Sequence, residues 1–178
     1  MTGDATVREA GPHDAVMLHL VAAATFPLAV TATISPESVQ AFIAEHLSVE
    51  QFRSWLASDR HVLFIAEVGS TPAGYSMLTF RETEPQHVSP FLSALPTVEL
   101  EKFYLLAGRH GTGLATQLLD SSVAAARGRG AASVWLGVST ENDRANRFYE
   151  RHGFEKRGDN KFPVGADLVN ETIRELVL

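Results

Sequence analysis

The apolar positions of this chain recur at helical spacing up to about residue 60 and at strand spacing from His61 onward. The change of period predicts helices first and a strand meander second. Val7-Arg8-Glu9-Ala10 predicts a short opening strand stopped by Gly11-Pro12. From His13 to about Ala24, Val16, Leu20 and Ala24 mark a helix that Thr25-Phe26-Pro27 is expected to end. Ser35-Pro36-Glu37 starts another, with serine as N-cap and proline in the first turn. Val39, Phe42, Ile43 and Leu47 form its apolar stripe. Ser48-Val49-Glu50-Gln51 is a capping-box pattern that opens a third helix, with Phe52, Trp55 and Leu56 inward.

His61–Val68 and Ala73–Arg81 predict two strands joined by the hairpin-type loop Gly69-Ser70-Thr71-Pro72. Residues 82–96 form a polar, proline-containing loop. A strand follows from Val98 through Leu105, then a helix from Gly111 onward and a turn at Gly128-Arg129-Gly130. Ala132–Val138 predicts a strand that leads to a helix beginning at Asn142. Glu155–Phe162 and Thr172–Leu178 are two final strands, joined through Val164-Gly165-Ala166-Asp167. The order is β, two or three helices, a β meander, β–α–β–α and a terminal β pair. No repeat or linker interrupts it, so residues 1–178 read as one α/β domain.

Composition narrows the chemistry. The chain has 178 residues, of which 45% are hydrophobic and 20% charged, the make-up of one ordinary globular domain. It has no cysteine, which excludes a disulfide scaffold, a thiolate metal site and a cysteine nucleophile. His13, His19, His46, His61, His87 and His152 show no metal-ligand spacing, so no metal is expected. The net charge of −6 argues against nucleic acid as the main partner. No apolar run approaches the roughly 20 residues that span a bilayer. Met1-Thr2-Gly3-Asp4 lacks the basic and apolar regions of a signal peptide. A cytoplasmic location is the expectation.

Two motifs carry the chemistry. In the first, the strand Val98–Leu105 feeds Arg109-His110-Gly111-Thr112-Gly113-Leu114-Ala115, a glycine-bearing turn into a helix N-terminus. Free backbone N–H groups at such a turn suit a pyrophosphate, and glycine lets the phosphate approach the backbone. The three glycines of a dinucleotide fingerprint are absent, as is the lysine of a kinase-type loop. In the second, residues 142–154 read Asn142-x-x-Ala145-x-x-Phe148-Tyr149-x-x-x-Gly153-Phe154. Asn142 can cap a helix, Ala145 is small enough to admit a ligand chain, and Tyr149 falls on nearly the same helix face as Asn142. Gly153 suits a helix C-cap.

Both motifs, in this order, resemble the signatures of the GCN5-related N-acetyltransferase (GNAT) superfamily, whose pyrophosphate loop reads Gln/Arg-x-x-Gly-x-Gly/Ala; His110 stands here where Gln or Arg is usual. The resemblance implies a mixed, mostly antiparallel twisted sheet of about seven strands flanked by helices, with acetyl-CoA as cosubstrate. A finer likeness is to bacterial spermidine/spermine N-acetyltransferases of the PaiA type. It rests on Ser35-Pro36-Glu37-Ser38 with Ala41-Phe42-Ile43, Gly74-Tyr75, Glu99 through Leu105, Trp135-Leu136-Gly137-Val138 and Phe162-x-x-Gly165-x-Asp167. It implies a polyamine or other primary amine as acceptor, and a possible homodimer. Other amines of this fold class are an amino-sugar antibiotic, an amino acid or a peptide N-terminus. A non-catalytic acetyl-CoA sensor is the third reading, which the intact Tyr149 and Glu101 oppose.

The chemistry needs a base for the ammonium, a donor for the oxyanion and an acid for the thiolate. Glu101 is the first choice of base, with Glu99 to orient it or bind a second amine, and Tyr149 is the acid toward the CoA thiolate. Strict alternation puts Glu99, Glu101 and Phe103 on one strand face and Leu100, Lys102 and Tyr104 on the other. Phe103, Tyr104 and Leu105 are expected to run beside the pantetheine arm. The amides of His110, Gly111, Thr112, Gly113, Leu114 and Ala115 are expected to hold the pyrophosphate, with charge added by Arg109. Asn142, Ala145 and Phe148 flank the thioester. Trp55 and Trp135 read as core. Phe26 with Pro27 is expected at the acceptor pocket, although Pro27-Leu28-Ala29-Val30 is apolar where polyamine enzymes often carry polar residues.

Overall fold

In the computed structural model, which describes residues 4–30, 34–108, 112–164 and 166–178, the strands are β1 (Ala5–Glu9), β2 (His61–Val68), β3 (Thr71–Thr79), β4 (Thr97–Leu105), β5 (Ser133–Ser139), β6 (Glu155–Val164) and β7 (Asp167–Val177). The helices are α1 (Ala15–Ala29), α2 (Pro36–His46), α3 (Val49–Leu56), α4 (Leu114–Gly128) and α5 (Asp143–Arg151). The strands join in one seven-stranded sheet of order β1-β2-β3-β4-β5-β7-β6. Only β4 and β5 run parallel; every other neighbouring pair is antiparallel. This is the mixed, mostly antiparallel sheet expected above.

Helices cover both faces. On one, Leu114, Leu118 and Leu119 of α4 pack with Tyr149 of α5 against Val98, Leu100, Val134 and Leu136. On the other, Leu18 and Phe26 of α1, Phe42 of α2 and Phe52 of α3 pack against Leu63, Ile65, Tyr75 and Met77. Each buried side chain of that size contributes about 1.5–3 kcal/mol relative to exposure. Ser35 caps α2 through Ser38 N–H at 3.1 Å, and Ser48 caps α3 through Gln51 N–H at 3.2 Å. Both starts agree with the sequence expectation.

Several elements differ from it, β3 among them, which opens at Thr71 within the expected loop. α1 runs through Pro27 to Ala29, and it buries Ala15, Leu18, Val21, Ala22, Thr25 and Phe26. Val16, Leu20 and Ala24, the positions that marked its spacing, are exposed. Phe26 is buried there, stacked on Phe42 with ring centroids 4.4 Å apart. A proline in the last turn removes one backbone bond near a helix end, and the burial of Phe26 offsets it. β6 and β7 reach Val164 and Asp167, longer than predicted, because each pairs with the other over polar residues that carry little periodic signal. The loop after β3 contains a single 3-10 turn, Ser89–Phe91, rather than irregular chain alone.

That loop is tied to the sheet by a buried acid. Ser93 N–H donates to both oxygens of Glu175 at 2.9 and 3.0 Å, Ser93 Oγ donates at 2.7 Å, and Ala94 N–H donates at 3.2 Å. Arg157 Nε lies 2.9 Å from the same carboxylate. Burial alone would push the Glu175 carboxyl up, but the Ser93 and Ala94 donors outweigh it and hold it below the usual range. Among the described residues, no helix is long and apolar enough to cross a membrane.

Glu175→Ala should therefore lower the unfolding free energy by about 3–5 kcal/mol, since its charged and polar partners lose their acceptor. Because the folded carboxyl is depressed, its contribution is present above the unfolded value of about 4.3 and fades as pH falls through the lower folded value. Urea unfolding of both proteins at neutral pH and near pH 3 checks this: the gap should narrow in acid. An equal gap at both would remove the ionised carboxylate as the cause.

Candidate active site

The sheet opens where its one parallel pair lets go. β4 and β5 are in register for three pairs, Thr97↔Ser133, Val98↔Val134 and Glu99↔Trp135. β4 stays paired with β3 as far as Leu105, and β5 stays paired with β7 as far as Ser139. The two strands thus part beyond Glu99 while each remains anchored on its outer side. A cleft of about 590 Å³ lies at the parting. Glu99, Glu101, Phe103 and Tyr104 of β4 line one wall, and Gly137, Val138 and Ser139 of β5 line the other. Asn142, Ala145 and Tyr149 close it from the α5 side. A strand edge without a protein partner can pair with an extended, amide-bearing ligand.

A β-bulge reorders the β4 side chains. Met77 faces Lys102 and Leu78 faces Leu100, so Glu101 is the extra residue. Strict alternation fails there. Leu100 and Phe103 both pack on the α4–α5 face, whereas Tyr104 packs on the α1–α3 face. Lys102 stands with its ammonium 5.5 Å from the Trp55 ring, also on the α1–α3 face. Phe103 therefore does not share a face with Glu101, and Lys102 and Tyr104 do not oppose it. The added residue shifts the phase by one.

The two acids of β4 sit in different environments. Thr79 Oγ1 donates to Glu101 at 2.6 Å, Lys102 Nζ at 2.8 Å and an Arg81 nitrogen at 3.4 Å. Burial pushes the Glu101 carboxyl up, but Lys102, Thr79 and Arg81 outweigh it and hold it below its ordinary value. Glu99 is ion-paired with Arg81. Burial and then the neighbouring Glu101 charge raise its carboxyl to about 7, against the opposing pull of Arg81. Arg81 also lies 3.8 Å from Glu84, which accepts a 2.8 Å bond from the Trp135 indole. A second hollow of about 500 Å³ lies behind Glu101, lined by His61, Thr79 and Arg81. Glu101 thus borders both spaces.

α5 brings the second motif to the cleft. Asn142 caps it, its side-chain oxygen accepting from Ala145 N–H at 3.1 Å. Asn146 Nδ2 donates to Ser139 O at 2.9 Å, and Arg174 Nε donates to Asn146 Oδ1 at 3.1 Å. These bonds lock α5 to β5 and β7. Tyr149 is held edge-on by Phe103 at 5.9 Å, Phe148 at 5.4 Å and Phe154 at 5.6 Å. Burial, then the nearby Tyr104, push its phenol well above the ordinary value, so it stays protonated. Phe148 stacks on Phe103 in the core and supports the site from behind.

Among the described residues, no side chain caps the start of α4. Gly113 stands there at φ +82, a left-handed conformation that favours glycine, with open space where a Cβ would be. Leu114 and Ala115 turn their side chains into the core, leaving their main chain for any ligand. Leu105 is likewise buried. Arg109, His110 and Gly111 lie outside the described residues. Phe26 lines the cleft as expected, with Phe42 and Phe162 beside it. Trp55 and Trp135, read as core, also border it. Sequence reasoning missed Arg81, Lys102 and Glu171. Nothing short-range marks them, since each reaches the cleft only through strand pairing. No group of three or more metal-ligating side chains occurs among the described residues.

A family model described as the acetyltransferase (GNAT) family matches residues 29–154. Uncharacterized N-acetyltransferases of Mycobacterium bovis and Mycobacterium tuberculosis are 39% identical over 166 residues, covering 92% of this chain and 99% of theirs. A PaiA N-acetyltransferase from Thermoplasma acidophilum, solved with coenzyme A, superposes with a TM-score of 0.78 at 18% identity, covering 98% of this chain and 99% of that one. A ribosomal-protein-alanine N-acetyltransferase from Brucella melitensis gives a TM-score of 0.71 at 21% identity, covering 97% and 99%.

Asn142→Ala should cost about 1 kcal/mol through loss of the α5 cap. Thermal unfolding reads this as a lowered Tm. An unchanged Tm would mean that the Asn146–Arg174 bonds alone hold α5.

Proposed function

The chain belongs to the GNAT family of acetyltransferases and is an acetyl-CoA-dependent N-acetyltransferase; from that premise we propose that it acetylates a primary amine of polyamine type by direct attack on the thioester. The observation that carries the reading is the carboxylate pair Glu99 and Glu101 on the wall of a cleft whose floor is an open strand edge. The edge of β4 beyond Glu99 would pair with the pantetheine arm, and the start of α4 would take the pyrophosphate. Ala145 leaves room beside α5.

An alkylammonium must lose a proton before it attacks. Glu99 is the better-matched acceptor, since its carboxyl lies near neutrality. Glu101, kept ionised by its donors, draws the cation in and fixes Arg81 and Lys102. With that first proton on Glu99 and passed on to solvent, the neutral nitrogen bonds to the thioester carbon, the carbon–sulfur bond breaks, and the nitrogen's second proton ends on the sulfur, which leaves as the CoA thiol. A β4 backbone N–H serves the developing oxyanion. Tyr149, protonated and facing the cleft, hydrogen-bonds the departing sulfur. The chain has no cysteine to form an acyl intermediate, which agrees with direct transfer.

A second reading has its own observation. Phe26, Ala29, Val30 and Phe42 give the acceptor side an apolar wall, which fits an amine with a hydrophobic body or a peptide N-terminus. CoA release measured across spermidine, spermine, putrescine, lysine, an aminoglycoside and a short peptide separates the two. Highest kcat/KM on the polyamines supports the first; highest kcat/KM on the peptide supports the second.

The proton acceptor must be ionised to work, so kcat/KM should fall as pH drops through about 7. Glu99→Gln should remove that limb and lower kcat by about 10²–10⁴-fold. A limb that persists in Glu99→Gln would assign the base elsewhere. Tyr149→Phe should lower kcat by about 100-fold with a smaller change in the KM for acetyl-CoA. A variant with unchanged kcat would remove Tyr149 from the leaving-group step.

A further inference from the structure

Gly137 lies in the interior of β5, where glycine weakens a strand. Its backbone has no left-handed φ to require it. Its bare backbone leaves space that Glu171 fills: a Cβ at Gly137 would meet the Glu171 carboxylate and displace it. Glu171 stands on β7 opposite Ser139, and its side chain reaches over β5 into the cleft. The sheet thus gives up a side chain in mid-strand to seat one acid on the wall facing β4.

That acid differs from the other two. Glu99 and Glu101 are matched by Arg81 and Lys102. Glu171 accepts one bond from a neutral partner, Asn160 Nδ2 at 3.1 Å. Lys161 also borders the cleft, yet among the described residues no ion pair joins it to Glu171. Burial pushes the Glu171 carboxyl up, which an arriving cation would reverse. Phe42 and Phe162, which line the same cleft, meet edge to face at 6.0 Å and offer an apolar surface suited to methylene groups.

We propose that Glu171 binds the second cationic nitrogen of a diamine-class acceptor, while the reacting amine lies at Glu99 and Glu101. This rests on the N-acetyltransferase reading. The reacting nitrogen must give up its charge, and the distal one keeps it. An acid with no cationic partner among the described residues is what the distal nitrogen needs.

The test is steady-state turnover of a straight-chain α,ω-diamine and the monoamine of equal carbon count, at saturating acetyl-CoA. Wild type, E171Q and G137A are compared; G137A keeps the carboxylate but displaces it. Wild type should favour the diamine in kcat/KM by about 10- to 100-fold, the worth of one charged hydrogen bond. Both variants should lose that preference through a raised KM for the diamine, with the monoamine moving less and the KM for acetyl-CoA held. Equal use of both amines by wild type would overturn the subsite and leave the transferase intact. So would an equal loss of both amines in E171Q, which would put Glu171 at the reacting nitrogen. If wild type turns over neither amine, calorimetric titration of the diamine into the protein with CoA decides. Tighter binding to wild type than to E171Q retains the subsite while the catalytic reading fails, and no difference overturns it.

Discussion

The parting of β4 from β5 is the constraint on which the rest of this molecule depends. A parallel pair held for three residues and then released leaves backbone groups inside the protein without strand partners. Such groups are costly to bury unless something pairs with them. The fold tolerates the gap because β3 grips β4 to Leu105 and β7 grips β5 to Ser139. The helices follow from it. α4 and α5 both begin beyond the C-terminal ends of this parallel pair, and Asn146, bonded to Ser139 and Arg174, pins α5 there. An extended ligand with amides along its length and a phosphate group at one end meets both demands.

The bulge at Glu101 fits function to this frame. By inserting one residue it brings Glu99, Glu101, Lys102 and Tyr104 toward the α1–α3 face and sends Phe103 to the opposite core. Acids and cations then share one wall, and their environments drive them apart. Glu101 takes three donors and stays charged. Glu99 has the deeper burial and the repulsion of its neighbour, so its carboxyl titrates near neutrality. One strand supplies both a fixed charge and a proton acceptor. The opposite wall supplies Glu171, which among the described residues is matched by Asn160 alone.

Much of this was legible in the chain. The helix starts at Ser35 and Ser48, the meander after His61, and the Asn142-to-Phe154 motif are local patterns, and local patterns survive folding. What was not legible depended on pairing across the sheet. The bulge is invisible to alternation because one extra residue changes no composition. Arg81, Lys102 and Glu171 are ordinary surface residue types in the sequence, and only register brings them to the cleft. Gly137 reads as a weak strand residue until the Glu171 carboxylate is seen against it. Pro27 marks a helix end by propensity, yet the buried Phe26 carries α1 past it.

The central claim is that the β4 edge beyond Glu99 is the seat of acetyl-CoA. Backbone hydrogen exchange of the purified protein, with and without acetyl-CoA, tests it at single-residue resolution. The account predicts that the amides facing the opening within Phe103–Leu105, and those at the start of α4, become protected on binding, while β1 and β2 stay unchanged. Binding of acetyl-CoA with no added protection along β4 would contradict it.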